Sequence, residues 1–518
     1  MAVNCISTLT TRFPKVEGRR LLLILVAALA ARLAYTSLFV DFEWDGYDRF
    51  IKGIHLTSDP WNMWHHWVWL PLPQYIYAAL YVLTHTYMAV RLFSVICGCA
   101  SVVILYKLTL KVSGSTKAAE LASLLMAFNP LILMYDTTGM TEPLFTLLLL
   151  SATYMFVSDR LLLCSVFLAV SCLVRYEGWL VTPFFYVVEM LRKKSILKPV
   201  LSSLMPFSAM FSWIYANYVF HGDPLFFLHG LNTFLAQWLP YFRKACVSIG
   251  LLGKLYLGMF PELTWVWYLI VLFVYLTPPA FIASLKALIG MKKKGNVAVL
   301  AALSVYYLSI LTALTVSGRC VGWPRHAIPC MPFFTTLAAY HTARGGRLKP
   351  FAMKTLVTSM VILILCTTWV ASMSSPIKQT ARWLRENAED GMILCRCPAI
   401  IVESHLPLSR FTQAWGVNDE ELHDFVASRN ISYIVSDFGR FENACRGYTV
   451  VYVSRGFVIY KVKSRVPLNE TSPPSGQLPL HDHPSIPQLA DHLPALHDED
   501  YPGLRILKMV YHVHGHVF

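Results

Sequence analysis

Read for hydrophobicity, the chain is a succession of apolar stretches near 20 residues long, separated by short polar or basic segments. Runs of that length cross the hydrocarbon layer of a bilayer as helices. They predict spans near 20–40, 86–106, 118–135, 143–157, 161–174, 180–191, 199–219, 264–285, 297–316, 326–342 and 355–372. The basic clusters test this map: Arg12/Arg19/Arg20, Lys107/Lys111/Lys117, Arg192/Lys193/Lys194/Lys198, Lys286/Lys292/Lys293/Lys294 and Arg344/Arg347/Lys349/Lys354. With eleven spans they all fall on one side, which the positive-inside rule makes the cytoplasm. One missed span would scramble every later loop. The other, extracytoplasmic side receives the loops 41–85, 136–142, 175–179, 220–263 and 317–325, and everything after 372.

Three regions break the pattern of plain spans. The N-terminal stretch "TRFPKVEGRRLLLILVAALAARLAY" has the look of a signal peptide, but its hydrophobicity continues to Val40, so it reads as an uncleaved first span. The first loop holds five tryptophans (Trp44, Trp61, Trp64, Trp67, Trp69) and prolines that forbid one continuous helix. Tryptophan favours the headgroup boundary, so two short helices are expected there, one lying on the membrane surface around 45–55 and one partly inserted around 71–84. Past residue 372 the pattern becomes that of a small soluble domain. "SPIKQTARWLRENAEDG" predicts a helix, "MILCRCPAIIVE" a strand region, "NDEELHDFVASRN" a helix, "ISYIVSDF" a strand and "YTVVYVSRGFVIYKV" a hairpin. The expected organisation is a transmembrane module over 1–372, a soluble α/β domain over 373–465 and a loosely ordered Pro- and His-rich tail over 466–518.

Composition agrees with this picture. Of 518 residues, 56% are hydrophobic and 14% charged, too apolar for a soluble multidomain protein. The formal charge of +14 comes from basic clusters flanking the spans, and no basic–aromatic platform points to nucleic acid. Cys97, Cys99, Cys164, Cys172 and Cys366 lie in apolar runs and act as small hydrophobes. Cys395 and Cys397 lack the spacing of common zinc sites, and a disulfide from this pair to Cys445 or Cys246 is compatible with an extracytoplasmic setting.

The scarce acids are where chemistry is expected. "VDFEWDGYDRF" (40–50) places Asp41, Glu43, Asp45 and Asp48 directly after the first span. In one helix Asp41, Asp45 and Asp48 would share a face, where like charges need a cation, a metal or a polar substrate to offset them. "YDTTGMTEPLF" brings Asp136 and Glu142 to the same side, and "LVRYEGW" interrupts an apolar region with Arg175 and Glu177. Charges at membrane depth are costly and mark functional sites. "SGRCVGWPRHAIP" adds Arg319, Arg325 and His326. Arginine suits a phosphate leaving group, and a carboxylate suits the base that deprotonates an acceptor hydroxyl.

In this order the motifs resemble the GT-C glycosyltransferases that use polyprenyl-phosphate sugars, most of all the dolichyl-phosphate-mannose-protein mannosyltransferase and aminoarabinose-transferase branch. "WDGYDRF" stands at the acidic first-loop motif, "LPLPQYIYAAL" at the following Pro-rich segment, and "RLFS" (Arg91–Ser94) after it. "MTEPLF" matches the acid–Pro motif, "RYEGW" comes next, and "WPRHAIPCMPF" resembles the late Arg–Pro segment. The resemblance covers about residues 20–465 and includes "ARWLRENAEDG" and "GFVIYKV" near the C-terminus. It implies a polytopic α-helical membrane protein of GT-C fold with about 11 transmembrane helices and a small extracytoplasmic α/β domain. It further implies an inverting hexosyltransferase of the cell membrane, moving mannose or another hexose from a polyprenyl-phosphate donor to a protein, lipid or glycan acceptor. On matching positions the first-loop acid that serves as catalytic base or as its partner is Asp45, with Glu142 the second carboxylate. Arg175, Arg325, His326 and His65 or His66 are expected at the donor phosphate. Asp45-Gly46 stands where the family often has Asp-Glu, which keeps Asp41 and Glu43, with Asp48 and Glu177, as alternative acids. The spacing Asp41/Glu43/Asp45 permits a hard cation such as Mg or Mn without demanding one, and no residue is assigned to a metal. A transporter or lipid flippase is the alternative, although such proteins often show two related halves and none is visible here.

Overall fold

The computed structural model describes residues 15–236, 265–290, 295–346, 348–413, 420–437, 441, 444–454 and 456–462. The expected tail, part of the 220–263 loop, Arg12, Lys292, Lys293, Lys294, Arg347 and Cys246 lie outside the described residues. The chain divides into two compact units, with a boundary between Ala371 and Ser372.

The first unit is helical. Helix α1 (Lys15–Leu38) is followed by two helices in the first loop, α2 (Trp44–Ser58) and α3 (Pro71–Thr84). Gly53 lets these two meet backbone to backbone: a Cβ there would lie 3.0 Å from Gln74 O and from Ala78 N. Then come α4 (Met88–Ser113), α5 (Thr116–Ala127) and α6 (Pro130–Tyr135). The sequence predicted one span over 118–135. The break arises because Asn129 caps a new helix start, accepting the Ile132 N–H at 3.1 Å, with Pro130 in the first position. The path continues through α7 (Glu142–Val157), α8 (Leu161–Cys172), α9 (Tyr176–Lys193) and α10 (Leu197–His221). The span expected over 264–285 is likewise two helices, α11 (Trp267–Tyr275) and α12 (Pro278–Ile289), bent by 119° at the Pro278-Pro279 pair. Helix α13 (Asn296–Val316) leads through a 3₁₀ turn (Pro324–Cys330) to α14 (Met331–Arg344). Helix α15 (Leu348–Asn387) is one 40-residue helix where the sequence suggested a span and a separate helix.

Among the described residues four helices are long and apolar enough to cross a membrane, and a fifth crossing results if the bent pair counts as one. Helices α7 and α8, with 16 and 12 residues, are shorter than a bilayer-spanning helix. Apolar side chains along α1, α10 and α15, such as Leu23, Phe211 and Leu365, face outward.

The second unit carries a five-stranded sheet of order β2-β1-β3-β5-β4. Strands β1 (Met392–Cys395), β2 (Phe411–Thr412) and β3 (Ile431–Asp437) run parallel, and the hairpin β4 (Thr449–Ser454) and β5 (Phe457–Lys461) joins antiparallel to β3. Central β3 is almost wholly buried, as its apolar run "ISYIV" requires. Helix α17 (Leu422–Ser428) covers the sheet through Leu422 and Val426, which pack with Leu394, Ile434 and Tyr460. "CPAIIVE" forms α16 (Pro398–Glu403) and not the strand expected, because Pro398 opens a helix at its first position. Cys395 and Cys397 are free, buried thiols, and Cys445 is buried as well.

Candidate functional site

Four separated pieces of the chain bring their charges together. Glu43 caps the start of α2, and Asp45 lies in its first turn. Glu142 is the first residue of α7, and Arg175 and Glu177 stand at the start of α9. Arg325 and His326 follow Pro324 in the 3₁₀ turn. Asp45, Glu142 and Glu177 thus each occupy the first turn of a helix, where the helix dipole favours a negative charge by about 0.3–1 kcal/mol apiece.

Two arginines tie these carboxylates. Arg325 Nη1 donates to Glu43 Oε2 at 2.7 Å and Nη2 to Asp45 Oδ2 at 3.1 Å, while its Nε stands 3.7 Å from Glu142 Oε1. Arg175 Nη1 donates to Glu142 Oε1 at 2.7 Å and to Thr141 Oγ1 at 3.0 Å. Its Nη2 and Nε reach Glu177 at 2.7 and 3.2 Å. His326 Nδ1 lies 3.4 Å from Glu177 Oε1, and Cys320 Sγ is 4.0 Å from the same nitrogen. Tyr135 donates its hydroxyl to Glu43 Oε1. The result is one buried network of four carboxylates, two guanidiniums and an imidazole.

Its members are not equally reachable. The Glu43 and Glu142 side chains are 0% exposed, while Asp45 retains 10% and Glu177 14%. Burial pushes the Glu43 carboxyl up to about 8, against the pull of Arg325 and Tyr135. Burial alone would raise the Cys320 thiol, but His326 and the Gly322 N–H bring it down to about 7.

The remaining first-loop acids have other partners. Asp41 precedes α2 and so does not share the helical face expected with Asp45 and Asp48. Its Oδ2 accepts from Tyr87 at 2.5 Å and from the Gly139 N–H at 2.6 Å, and its Oδ1 accepts from the Glu43 N–H at 2.8 Å. With Tyr77 donating to Gly139 O and Arg91 donating to Thr137 O, both at 2.7 Å, Asp41 fixes the loop that presents Glu142. Asp48 pairs with Lys52 at 2.6 Å. Asp136 leaves the surface altogether and pairs inside the bundle with Arg32 at 2.7 Å.

Nor do the first-loop histidines join the network. His65 stacks on His55, and His66 is buried against Tyr75 and Trp213. The hard-cation arrangement does not fit: Glu43 and Asp45 turn to Arg325 and Asp41 to Tyr87. Among the described residues no group of three His, Cys, Asp or Glu side chains is arranged to hold a metal ion. The sequence reading missed Tyr135, Thr141 and Arg49, each within four residues of an acid it named.

A family model for dolichyl-phosphate-mannose-protein mannosyltransferase matches residues 70–213, which include Glu142, Arg175 and Glu177. No curated protein sequence matches the chain significantly. Among solved structures it is similar to the apo oligosaccharyltransferase of Archaeoglobus fulgidus, with TM-score 0.50 and 12% identity over 87% of this chain and 75% of that one. The oligosaccharyltransferase AglB of Archaeoglobus fulgidus, in complex with an inhibitory peptide and a dolichol-phosphate, aligns over the same shares at TM-score 0.47 and 12% identity. ArnT of Cupriavidus metallidurans, bound to undecaprenyl phosphate, aligns at 0.45 and 12% over 86% of this chain and 98% of that one. The chain therefore resembles the GT-C glycosyltransferases in fold, as its motifs implied.

Proposed function

We propose that this chain is a multi-pass membrane glycosyltransferase. It moves a hexose, mannose first among the candidates, from a polyprenyl-phosphate donor to a protein, lipid or glycan acceptor on the extracytoplasmic face. The observation that carries this reading is the position of Asp45. Of the four first-loop acids it alone belongs to the arginine-tied network and keeps a reachable carboxylate. The match of residues 70–213 to the mannosyltransferase family supports the donor class.

In this reading Asp45 accepts the proton of the acceptor hydroxyl as its oxygen attacks the anomeric carbon. The bond from that carbon to the donor phosphate oxygen breaks, and its electron pair stays with the phosphate, inverting the configuration. Arg325 orients Asp45 through a charge-assisted bond and, with Glu43 behind it, fixes the direction of the carboxylate. Glu142 is wholly buried and organises both arginines, which makes it a positioning residue. Arg175 and His326 add positive charge on the side of Glu177. The distribution of basic clusters supports eleven crossings with the second unit outside the cytoplasm.

Membranes supplied with labelled polyprenyl-phosphate hexoses test the assignment. Wild type should transfer label to an acceptor fraction, and Asp45→Asn should lower the rate by about 10²–10⁴-fold. Transfer that survives Asp45→Asn removes the assigned base and leaves the reaction class. No transfer from any donor, together with movement of a solute or lipid across the membrane, would replace the enzyme by a transporter or flippase.

A further inference from the structure

The arginines that the sequence points to for donor phosphate are both engaged. Arg175 and Arg325 already spend their N–H groups on Glu43, Asp45, Glu142 and Glu177. A phosphodiester entering beside them would meet carboxylates before it met free positive charge. Arg49 has the opposite surroundings. It lies one helical turn after Asp45 on α2, and the residue is only 5% exposed. Its guanidinium carbon sits 4.1 Å over the ring of Trp69, and Nη1 stands 3.8 Å from Met140 Sδ, a weak acceptor. Among the described residues no carboxylate lies within ion-pair distance of it.

A buried guanidinium with no carboxylate in contact among the described residues is costly, and tolerating one needs an explanation in function. The neighbourhood holds further unsatisfied polar atoms: among the described residues no partner reaches buried Trp69 Nε1, or Nε2 and Oε1 of Gln74 on the adjoining helix α3. Met140, beneath Arg49, stands two residues before Glu142, which places this cation beside the network and not in a separate part of the fold.

We propose that Arg49, stacked on Trp69, is the seat of the donor phosphate. The inference rests on the glycosyltransferase reading above and assigns a residue that neither motif order nor the arginine-tied network identifies. Stacking holds the guanidinium flat and leaves its N–H edge available for bidentate bonding to two phosphate oxygens. A single guanidinium held by no contact ion pair among the described residues matches the single negative charge of a sugar phosphodiester. Lys52, one turn further along α2 and 5.5 Å over Trp67, is already paired with Asp48 and adds no second free cation. The seat therefore suits a monophosphate-linked donor better than a diphosphate-linked one.

Purified protein in detergent, titrated with undecaprenyl phosphate and separately with undecaprenol, tests the seat through tryptophan fluorescence and a direct binding measurement. Wild type should bind the phosphate far more tightly than the alcohol. Arg49→Met should weaken phosphate binding by about 10–100-fold and leave alcohol binding unchanged, and Arg49→Lys should recover part of the loss. Asp45→Asn, measured in parallel, should bind the phosphate as wild type does, which separates the seat from the base. Phosphate binding by a folded Arg49→Met at wild-type strength overturns the seat and leaves the reaction class standing. A wild type that does not distinguish phosphate from alcohol overturns the seat and the polyprenyl-phosphate reading together. If Arg49→Met does not fold, Arg49→Lys and Trp69→Leu carry the same comparison, and phosphate affinity unchanged in both overturns the seat.

Discussion

The membrane unit contains two buried ion-pair systems of very different construction. Around Arg32 everything is balanced. The guanidinium meets one carboxylate, Asp136, through Nε and Nη2 at 2.9 and 2.7 Å, and spends Nη1 on the carbonyls of Ala28 and Ala127. Both side chains are sealed away. Around Arg325 and Arg175 nothing balances in the same way. Four carboxylates share two guanidiniums and an imidazole, one oxygen of Glu142 has no partner among the described residues, and Asp45 and Glu177 reach the edge. A closed pair is what a fold needs to bury a charge, whereas an open network with charge to redistribute is what a reaction needs.

Asp45→Asn breaks the open system with the largest effect. It keeps the bond to Arg325 and removes the proposed proton acceptor, so transfer should fall by about 10²–10⁴-fold while the unfolding midpoint stays near wild type. A large loss of stability instead would move Asp45 into the class of Asp136. The closed system should respond in the reverse sense. Asp136→Asn strands the Arg32 charge and should cost about 3–5 kcal/mol of stability, read from unfolding in detergent. The double variant Arg32→Met with Asp136→Leu should recover much of it, and failure to recover would show that the pair does more than satisfy itself.

A subtler distinction concerns Glu43. Its carboxyl titrates near 8 in the folded protein and ordinarily near 4.5. Between those values the unfolded chain releases a proton that the folded chain keeps, so stability is full at low pH and declines as pH rises toward 8. Glu43→Gln should flatten the dependence of the unfolding midpoint across pH 5–8, and an unchanged slope would assign that dependence to another group. The smallest effect belongs to Asp48. Its partly buried i,i+4 pair with Lys52 is worth about 0.3–0.5 kcal/mol, so Asp48→Asn should leave the transfer rate within about twofold.

Much of the site was legible because charges that interrupt apolar runs stand out against a membrane background. Glu142, Arg175, Glu177 and Arg325 were visible for that reason. What the sequence left open was the partner of each charge. Asp41 and Asp45 look alike in "VDFEWDG", and only the helix start at Trp44 turns one toward Tyr87 and the other toward Arg325. Asp136 seemed to belong with Glu142, but its partner lies 104 residues away on the first helix. Arg49 was hidden because the property that singles it out, having no contact ion pair among the described residues, has no signature along a chain. The breaks at Pro130 and Pro278 were printed in the sequence, yet hydrophobicity runs unbroken through both and outweighed the local signal.

Arg325 is separated from Glu43 by 282 positions and from Asp45 by 280. A ribosome delivering the chain from its N-terminus therefore releases the carboxylates long before the arginine that neutralises them. Until the last third of the unit enters the bilayer, the first loop carries acids that are expensive to bury and stay hydrated. A chain cut short before Arg325 lacks the guanidinium that ties Glu43 and Asp45 together.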